Sequence, residues 1–213
     1  MSTKINHLLL LIIISLLVIS NSACTKEKPE LQSGQQLASA ANSTPGAAGD
    51  SKVSSNVYGI ESVSKVVAGK ATDFTWKADG KIYTFSEFTK GKVVFLNFWG
   101  TWCPPCRREI PDIVEISKDL ANKDFVVIGI ACERPGSDLA TNISNVKSFA
   151  DAKGIPYQLF TTASDNRALS EAYGGIQAVP TTFIIDKQGK INETLVGMRS
   201  KDEFMQSINR VLK

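Results

Sequence analysis

Two cysteines three residues apart carry the most specific chemical signal in the sequence. Cys103 and Cys106 flank two prolines and follow the apolar run 92–99, whose composition is typical of a strand buried on both faces of a sheet. Pro104 begins a helical pattern, so Cys103 falls at a helix N-terminus, where backbone N–H groups and the helix dipole stabilise a thiolate. Because Cys106 lies one helical turn further on, the two sulfurs can close a disulfide. The spacing therefore indicates dithiol–disulfide exchange.

Two other uses of a cysteine pair fit the sequence less well. A zinc site needs four ligands, but there is no second Cys-x-x-Cys pair, and the single histidine, His7, lies near the N-terminus. A purely structural disulfide does not need a strand–turn–helix junction. The Gly-x-Gly-x-x-Gly pattern of nucleotide-binding turns is also missing from the sequence. We therefore expect no metal and no bound cofactor, only the redox-active disulfide Cys103–Cys106.

Residues 1–23 have the pattern of a secretory signal. Lys4 precedes the apolar run 8–19, which is short for a membrane span of roughly 20 residues, and small residues follow it. The next residue, Cys24, resembles the lipid-bearing cysteine of bacterial lipoproteins, although Asn21 stands where that pattern prefers leucine. We expect Cys24 to be lipidated. Cleavage by the ordinary signal peptidase and an uncleaved membrane anchor are the alternatives.

Composition divides the remainder of the chain in two. Residues 24–62 are rich in Ser, Ala, Gly, Asn and Gln and lack hydrophobic periodicity, which predicts a flexible tether. Residues 63–213 contain the predicted globular domain. The 213-residue chain is 43% hydrophobic and has a net charge of +3, which fits one soluble domain and gives no indication of a nucleic-acid surface. We expect the domain to be a monomer.

Strand patterns alternate with helix patterns along the predicted domain. Asp79-Gly80 between two strand-like runs predicts a β-hairpin, and Ser200 with Glu203 predicts a capping box at the start of the last helix. Strands are predicted at 71–77, 81–85, 92–99, 125–131, 157–161, 181–186 and 191–196, and helices from 104, at 143–152, at 165–173 and from 200. This order predicts an α/β sandwich with a mostly parallel centre and an antiparallel hairpin edge.

Residues 97–106, Asn-Phe-Trp-Gly-Thr-Trp-Cys-Pro-Pro-Cys, resemble the thioredoxin superfamily and, within it, the TlpA/ResA-like branch of membrane-tethered, extracytoplasmic thiol-disulfide oxidoreductases. Asn97 stands where thioredoxins proper carry a buried aspartate, and Glu109 matches the glutamate that this branch places after its cysteines. Residues 178–181, Ala-Val-Pro-Thr, resemble the loop that contains the family's cis proline. The resemblance implies a thioredoxin-like sandwich with an N-terminal β-hairpin and a central helix–strand insertion at 133–159.

The resemblance also implies catalytic roles for three residues. Cys103 is expected to be the exposed nucleophile that attacks a substrate disulfide, and Cys106 the more buried thiol that resolves the mixed disulfide. Glu109 is expected to relay a proton to or from Cys106. The alternative for Glu109 is a solvated helix carboxylate.

Substrate contacts are expected around the same site. Pro180, if cis, presents an extended edge to the substrate backbone, and Val179 supplies that edge. Trp102 and Trp99 are expected to shape an apolar rim, with core packing as the alternative for Trp99. Cys132, at the end of a predicted strand, is expected to be a buried inert thiol, with a third redox cysteine as the alternative.

The implied function is the reduction of protein disulfides outside the cytoplasm, for example the cysteine pairs of apocytochrome c. A membrane thiol carrier would supply the electrons, and a lipid anchor would hold the protein at the bacterial cell envelope. A peroxiredoxin-like peroxidase is one alternative, but that family has threonine three residues before its active cysteine, where this chain has Gly100, and Thr101 is only two before. A disulfide oxidase or isomerase and a non-enzymatic chaperone-like module are the others.

Overall fold

A mixed eight-stranded sheet lies at the centre of the part of the chain that the computed structural model describes, residues 57–163 and 167–213. The predicted signal, Cys24 and most of the predicted tether lie outside these residues. The strands are β1 (Val57–Val63), β2 (Phe74–Ala78), β3 (Lys81–Thr84), β4 (Val93–Trp99), β5 (Phe125–Ala131), β6 (Gln158–Thr161), β7 (Thr181–Ile185) and β8 (Ile191–Val196). The helices are α1 (Phe85–Phe88), α2 (Pro104–Asp119), α3 (Leu139–Lys153), α4 (Arg167–Ala172) and α5 (Lys201–Val211).

The sheet has a parallel centre and antiparallel edges, as the order of elements predicts. Its strand order is β3-β2-β1-β6-β5-β4-β7-β8. The neighbours β1, β6, β5 and β4 pair in parallel, whereas β3-β2-β1 and β4-β7-β8 pair antiparallel. The insertion predicted at 133–159 supplies α3 and the first residues of β6, which extends the sheet beyond β5.

Strand β4 is buried along its whole length, which explains its nearly continuous apolar sequence. Its alternate side chains enter two separate cores. On one face Val93, Phe95 and Trp99 pack with residues of α2, α3 and α5. On the opposite face the remaining apolar side chains of β4 pack with residues of α1 and α4. The strand therefore holds the helices on both faces of the sheet in place.

Several local predictions are confirmed. Asp79 (φ 49°) and Gly80 (φ 74°) form the turn between β2 and β3, a two-residue turn in which both positions need positive φ. Pro104 begins α2, where its missing N–H leaves no helical hydrogen bond unmade. At α5, the Glu203 N–H donates to Ser200 Oγ, and the Ser200 N–H donates to the Glu203 carboxylate. Both hydrogen bonds of the predicted capping box are present.

The prediction of a tether throughout 24–62 is wrong for its last six residues. Val57–Val63 forms β1, which lies between β2 and β6 in the sheet. Its side chains are half-buried or exposed, and it contains Gly59, Glu61 and Ser62, so its hydrophobic pattern is weak. Hydrogen bonds to strands on both sides hold β1 in the sheet, and its apolar side chains pack, partly buried, against the two cores. The strand also joins the β2–β3 hairpin to the parallel centre.

Other boundaries differ because caps start helices earlier than their apolar residues suggest. The strand predicted at 81–85 ends at Thr84, whose side chain accepts the Glu87 N–H at the start of α1. The helix predicted at 143–152 begins at Leu139, because Asp138 accepts the Thr141 N–H and caps α3. For the helix predicted at 165–173, residues 164–166 lie outside the described part of the chain, and α4 covers the rest apart from its last residue.

Helix α5 is attached to α2, the helix that carries the cysteines. The Lys201 N–H donates to Asp112 Oδ2 at 3.0 Å, and Lys201 Nζ bridges Glu115 and Asp119 at 3.0 and 2.8 Å.

In the residues that the structure describes, no helix is both long and apolar enough to cross a membrane.

Removal of the α5 cap should destabilise the fold. Ser200→Ala leaves the Glu203 N–H without its capping acceptor, so we expect the free energy of unfolding to fall by about 1 kcal/mol. Urea denaturation followed by circular dichroism measures this change. Ser144→Ala, at an exposed serine inside α3, is the matched control and should change stability by less than about 0.5 kcal/mol. Equal effects of the two substitutions would contradict a role for the cap.

Candidate active site

The two cysteines form a disulfide at the junction between β4 and α2. Cys103 and Cys106 have Cα atoms 5.3 Å apart. Cys103 is the N-cap residue of α2, and the Cys106 N–H donates to Cys103 Sγ at 3.3 Å. Pro104 and Pro105 have no N–H, so the Cys106 N–H is the one hydrogen-bond donor that this first turn offers to the sulfur of the cap residue. The sulfur pair is therefore placed for exchange, with one backbone donor to stabilise a thiolate at Cys103.

The expectation of an exposed Cys103 is wrong for this oxidised structure. Cys103 is 2% exposed and Cys106 is fully buried, so the two cysteines differ only slightly in exposure. Cys103 Sγ lies 3.6 Å from the Val179 carbonyl oxygen, in a loop that is distant in sequence. Because a disulfide sulfur carries no hydrogen, this approach is a contact that covers the sulfur. A thiol in the same place can donate a hydrogen bond to that oxygen.

The covering loop contains the expected cis proline. The Val179–Pro180 peptide bond is cis, and the Pro180 carbonyl oxygen accepts the Gly197 N–H at 2.8 Å. Thr181 Oγ1 donates to the Ala178 carbonyl oxygen at 2.8 Å. These two hydrogen bonds hold the loop on both sides of Pro180, beside the disulfide.

Glu109 is buried among polar partners rather than solvated. It is 2% exposed, and its Oε1 accepts a hydrogen bond from Asn97 Nδ2 at 3.0 Å. Its other oxygen, Oε2, is buried without a hydrogen-bond partner among the described residues. Burial raises the pKa of Glu109 from 4.5 to about 7, while the hydrogen bond from Asn97, a hydrogen bond from the Arg199 backbone and the Arg199 charge act in the opposite direction. Since Cys106 and Glu109 are three residues apart on α2 and both buried, they share one face of the helix.

Trp102 stands at the edge of an apolar cavity beside the disulfide. Its ring is 40% exposed, its Nε1 donates to the Cys132 carbonyl oxygen at 2.9 Å, and the Arg134 guanidinium lies 5.2 Å from the ring centre. The cavity has a volume of about 240 Å³ and is lined by Phe98, Trp102, Cys132, Ser170, Ile176, Gln177, Ala178 and Val179. The lining residues from α4 and the following turn could not be predicted from the sequence, because apolar and small side chains give no chemical signal.

Trp99 does not belong to this rim. It is 1% exposed and its ring packs 5.3 Å from that of Phe149, so the core-packing alternative is the one that the structure supports. Its Nε1 is buried without a hydrogen-bond partner within the described residues.

Comparisons with known proteins agree with this geometry. Residues 67–194 match the model of the AhpC/TSA family. The thiol-disulfide oxidoreductase ResA of Geobacillus thermodenitrificans is 30% identical over 71% of this chain and 81% of its own length. A thioredoxin-like protein of Bacillus subtilis, YneN, is 31% identical over 66% of this chain and 77% of its own length. A thioredoxin-family thiol:disulfide interchange protein of Chlorobium tepidum has a similar structure, with a TM-score of 0.56, 33% identity and coverage of 70% and 100% of the two chains.

This chain belongs to the AhpC/TSA family and has a thioredoxin-like fold. It is a ResA-like thiol-disulfide oxidoreductase. The Cys103–Cys106 pair, at the end of a buried strand and the start of a helix, supplies the dithiol that this activity requires.

The structure disfavours the peroxidase alternative for this oxidoreductase. A Cβ atom at Gly100 would lie 2.7 Å from Trp102 Nε1 and 3.0 Å from the Cys132 carbonyl oxygen. The threonine that peroxiredoxins place three residues before their active cysteine therefore does not fit here. Thr101 is engaged elsewhere, because its N–H and its hydroxyl donate to the Glu133 carboxylate at 3.0 and 2.7 Å.

Cys132 lies in the cavity wall, but the pKa of its thiol is typical of an unreactive cysteine. It is a free, half-buried cysteine at the end of β5. Burial, with a smaller contribution from Glu133, raises the pKa of the Cys132 thiol from 9.0 to about 12. Very little thiolate is therefore present at neutral pH.

Cys132 should react slowly with alkylating reagents. With Cys103 and Cys106 oxidised, we expect iodoacetamide at pH 8 to label Cys132 at least a hundredfold more slowly than it labels glutathione, because the thiolate fraction is so small. Mass spectrometry of the peptide that contains Cys132 measures the rate. Unfolding in urea should restore ordinary reactivity. Rapid labelling of the folded protein would instead favour a third redox cysteine.

Proposed function

We propose that this oxidoreductase reduces protein disulfides outside the cytoplasm. The observation that carries the direction of electron flow is the single N–H, from Cys106, that reaches Cys103 Sγ. A weakly stabilised thiolate makes the dithiol form less favourable and the couple more reducing. Arg107 does not compensate, because its guanidinium lies 5.8 Å from the centre of the Phe149 ring rather than pairing with the sulfur.

The proposed reaction consumes two protein thiols and one substrate disulfide. The Cys103 thiolate attacks one substrate sulfur, forms a mixed disulfide and releases a substrate thiolate, which takes up a proton. The Cys106 thiol then gives its proton to the Glu109 carboxylate and attacks Cys103 Sγ. This second exchange releases the other substrate thiolate and forms the Cys103–Cys106 disulfide. Two electrons pass from the protein to the substrate.

Glu109 suits this role because both of its protonation states are accessible near neutral pH. A pKa of about 7 makes the carboxylate a competent base for Cys106 and the carboxylic acid a competent donor in the return reaction. Its burial on the Cys106 face of α2 keeps the exchange away from bulk water.

The surroundings of the disulfide support a proposal for the substrate. The cavity beside Trp102 and Val179 has the size and apolar lining to take one apolar side chain next to a substrate cysteine. Pro180 and Val179 present an extended edge to the substrate backbone. We propose apocytochrome c cysteine pairs as substrates and a membrane thiol carrier as the donor that restores the dithiol. A lipid on Cys24 would hold the protein at the cell envelope.

Removal of Cys106 should trap the substrate. In Cys106→Ala the mixed disulfide at Cys103 has no resolving thiol, so we expect it to accumulate and to survive non-reducing electrophoresis. Mass spectrometry then identifies the captured protein. Cys103→Ala is the matched control and should capture nothing. Capture by Cys103→Ala would assign the nucleophile to Cys106.

The reduction potential tests the direction of electron flow. The reduction potentials of strong oxidants with this fold are about −120 mV, and that of thioredoxin is about −270 mV. We expect a reduction potential below roughly −200 mV for this protein. Pro105→Ala restores one N–H to the first turn of α2. One hydrogen bond of about 1–2 kcal/mol corresponds to roughly 20–40 mV, so this variant should be less reducing by that amount.

Equilibration with a series of glutathione redox buffers measures both potentials. A wild-type value near about −120 mV would make the protein an oxidase and overturn the proposed direction. An unchanged potential in Pro105→Ala would show that the number of backbone N–H groups in the first turn of α2 does not set the reduction potential.

A further inference from the structure

The structure contains a buried pair of polar side chains that take no part in the proposed exchange reaction. Asn97 and Thr182 are directly opposite each other in the antiparallel pairing of β4 with β7. Each is 2% exposed. Residues at odd positions of β4 face the core formed with α2, so Asn97 points towards the helix that carries Glu109.

We propose that Asn97 and Thr182 are positioning residues that hold Glu109 Oε1 and reserve Oε2 for the proton of Cys106. This inference rests on the proposed role of Glu109 as the proton acceptor. It assigns a function to two neutral side chains whose hydrogen bonds, within the described residues, do not involve either cysteine.

The hydrogen bonds fix the amide of Asn97 from both sides. Nδ2 of Asn97 donates one hydrogen to Glu109 Oε1 and the other to Thr182 Oγ1, each at 3.0 Å. With both hydrogens engaged, the amide cannot turn without losing a buried hydrogen bond. Thr182 therefore acts through Asn97: it orients the amide, and the amide orients the carboxyl group.

This arrangement works for both protonation states of Glu109. In the carboxylate, Oε1 accepts from Asn97, and Oε2 has no partner within hydrogen-bonding geometry among the described residues, although the Arg199 backbone N–H also stabilises the charged form. When Oε2 takes a proton, Oε1 becomes the carbonyl oxygen of the acid and still accepts from the same N–H. The carboxyl group therefore gains and loses its proton without moving, and the proton goes to Oε2, the oxygen that Asn97 does not hold.

Aspartate at position 97 could not replace Asn97 in this arrangement. An ionised aspartate has no hydrogen to donate to Oε1, and it would place a second negative charge beside Glu109. Arg199, in the loop before α5, acts on Glu109 through its charge and through a hydrogen bond from its backbone, and Asp112 on α2 and Tyr157 before β6 are the other titratable groups that interact with it. None of these is altered by substitutions at positions 97 and 182.

The direct test is a titration of Glu109 in the oxidised protein, followed by the 13C NMR signal of its carboxyl carbon. Loss of a hydrogen bond to the carboxylate, or addition of a like charge, raises the pKa. We expect an upward shift of about one unit or more in Asn97→Asp and about half a unit in Thr182→Val. Thr182→Ser keeps the hydroxyl and should titrate like the wild type.

The pH dependence of disulfide exchange provides the second readout. The apparent pKa of the rate should move with that of Glu109 in Asn97→Asp and Thr182→Val, and Thr182→Ser should restore the wild-type profile. In a Glu109→Gln background, Thr182→Val should leave the remaining pH profile unchanged, because the group that Thr182 positions is no longer titratable. Thr182→Val has nearly the same shape as the wild-type residue and keeps the test open if Asn97→Asp does not fold.

An unshifted Glu109 titration in a folded Thr182→Val would overturn the inference. So would an equal effect of Thr182→Val with and without Glu109. Neither result depends on the direction of electron flow, because the titration uses the oxidised protein and the reduction potential is measured separately. A wild-type titration near pH 7 together with an unchanged rate profile in Glu109→Gln would instead remove the proposed proton relay itself.

Discussion

The burial of β4 on both faces is the constraint on which the site depends. A strand with neighbours on each side and helices above and below leaves its side chains no access to water, so its one polar residue, Asn97, must find partners inside the protein. The two neighbouring strands supply what surrounds the disulfide. β5 ends at the cavity wall near Cys132, and β7 begins directly after Pro180. The cysteines, the cis-proline loop and the cavity therefore meet at the carboxyl end of one strand.

Those parts of the fold that depend on interactions between residues close in sequence, such as turns and helix caps, could be predicted from the sequence. Positive φ at Asp79 and Gly80 and the reciprocal hydrogen bonds of Ser200 and Glu203 are properties of a few adjacent residues. β1 was not predicted, because Gly59, Glu61 and Ser62 interrupt its hydrophobic pattern and its place depends on pairing with two distant strands. Burial of Cys103 was not predicted either, since the Val179 carbonyl that covers it comes from a distant part of the chain.

For Glu109, the sequence predicts the face of the helix on which it lies but not the residues that it contacts. It follows Arg107 and Arg108, and a run of three charged residues suggests a solvated helix face. Helical periodicity separates them: Cys106, Glu109 and Ile110 fall on one face and are buried, whereas both arginines are exposed. The sequence thus predicts which side of α2 Glu109 occupies. Its partner Asn97 and the Thr182 hydroxyl that accepts from Asn97 lie 12 and 73 residues from Glu109 and are brought together only in the folded sheet.

Burial of Glu109 has a thermodynamic consequence that fits a functional role better than a structural one. The pKa of the carboxyl group is higher in the folded protein, at about 7, than its ordinary value of 4.5. The folded state therefore binds this proton more tightly than the unfolded state, and the resulting stabilisation is complete below pH 4.5 and is lost as the pH rises through 7. The loss is on the order of 3 kcal/mol at most. A glutamine of the same shape would avoid it, because it has no charge to bury. The proposed proton relay gives this ionisable group a use that a glutamine could not serve, because only a carboxyl group can take up the proton that Cys106 loses.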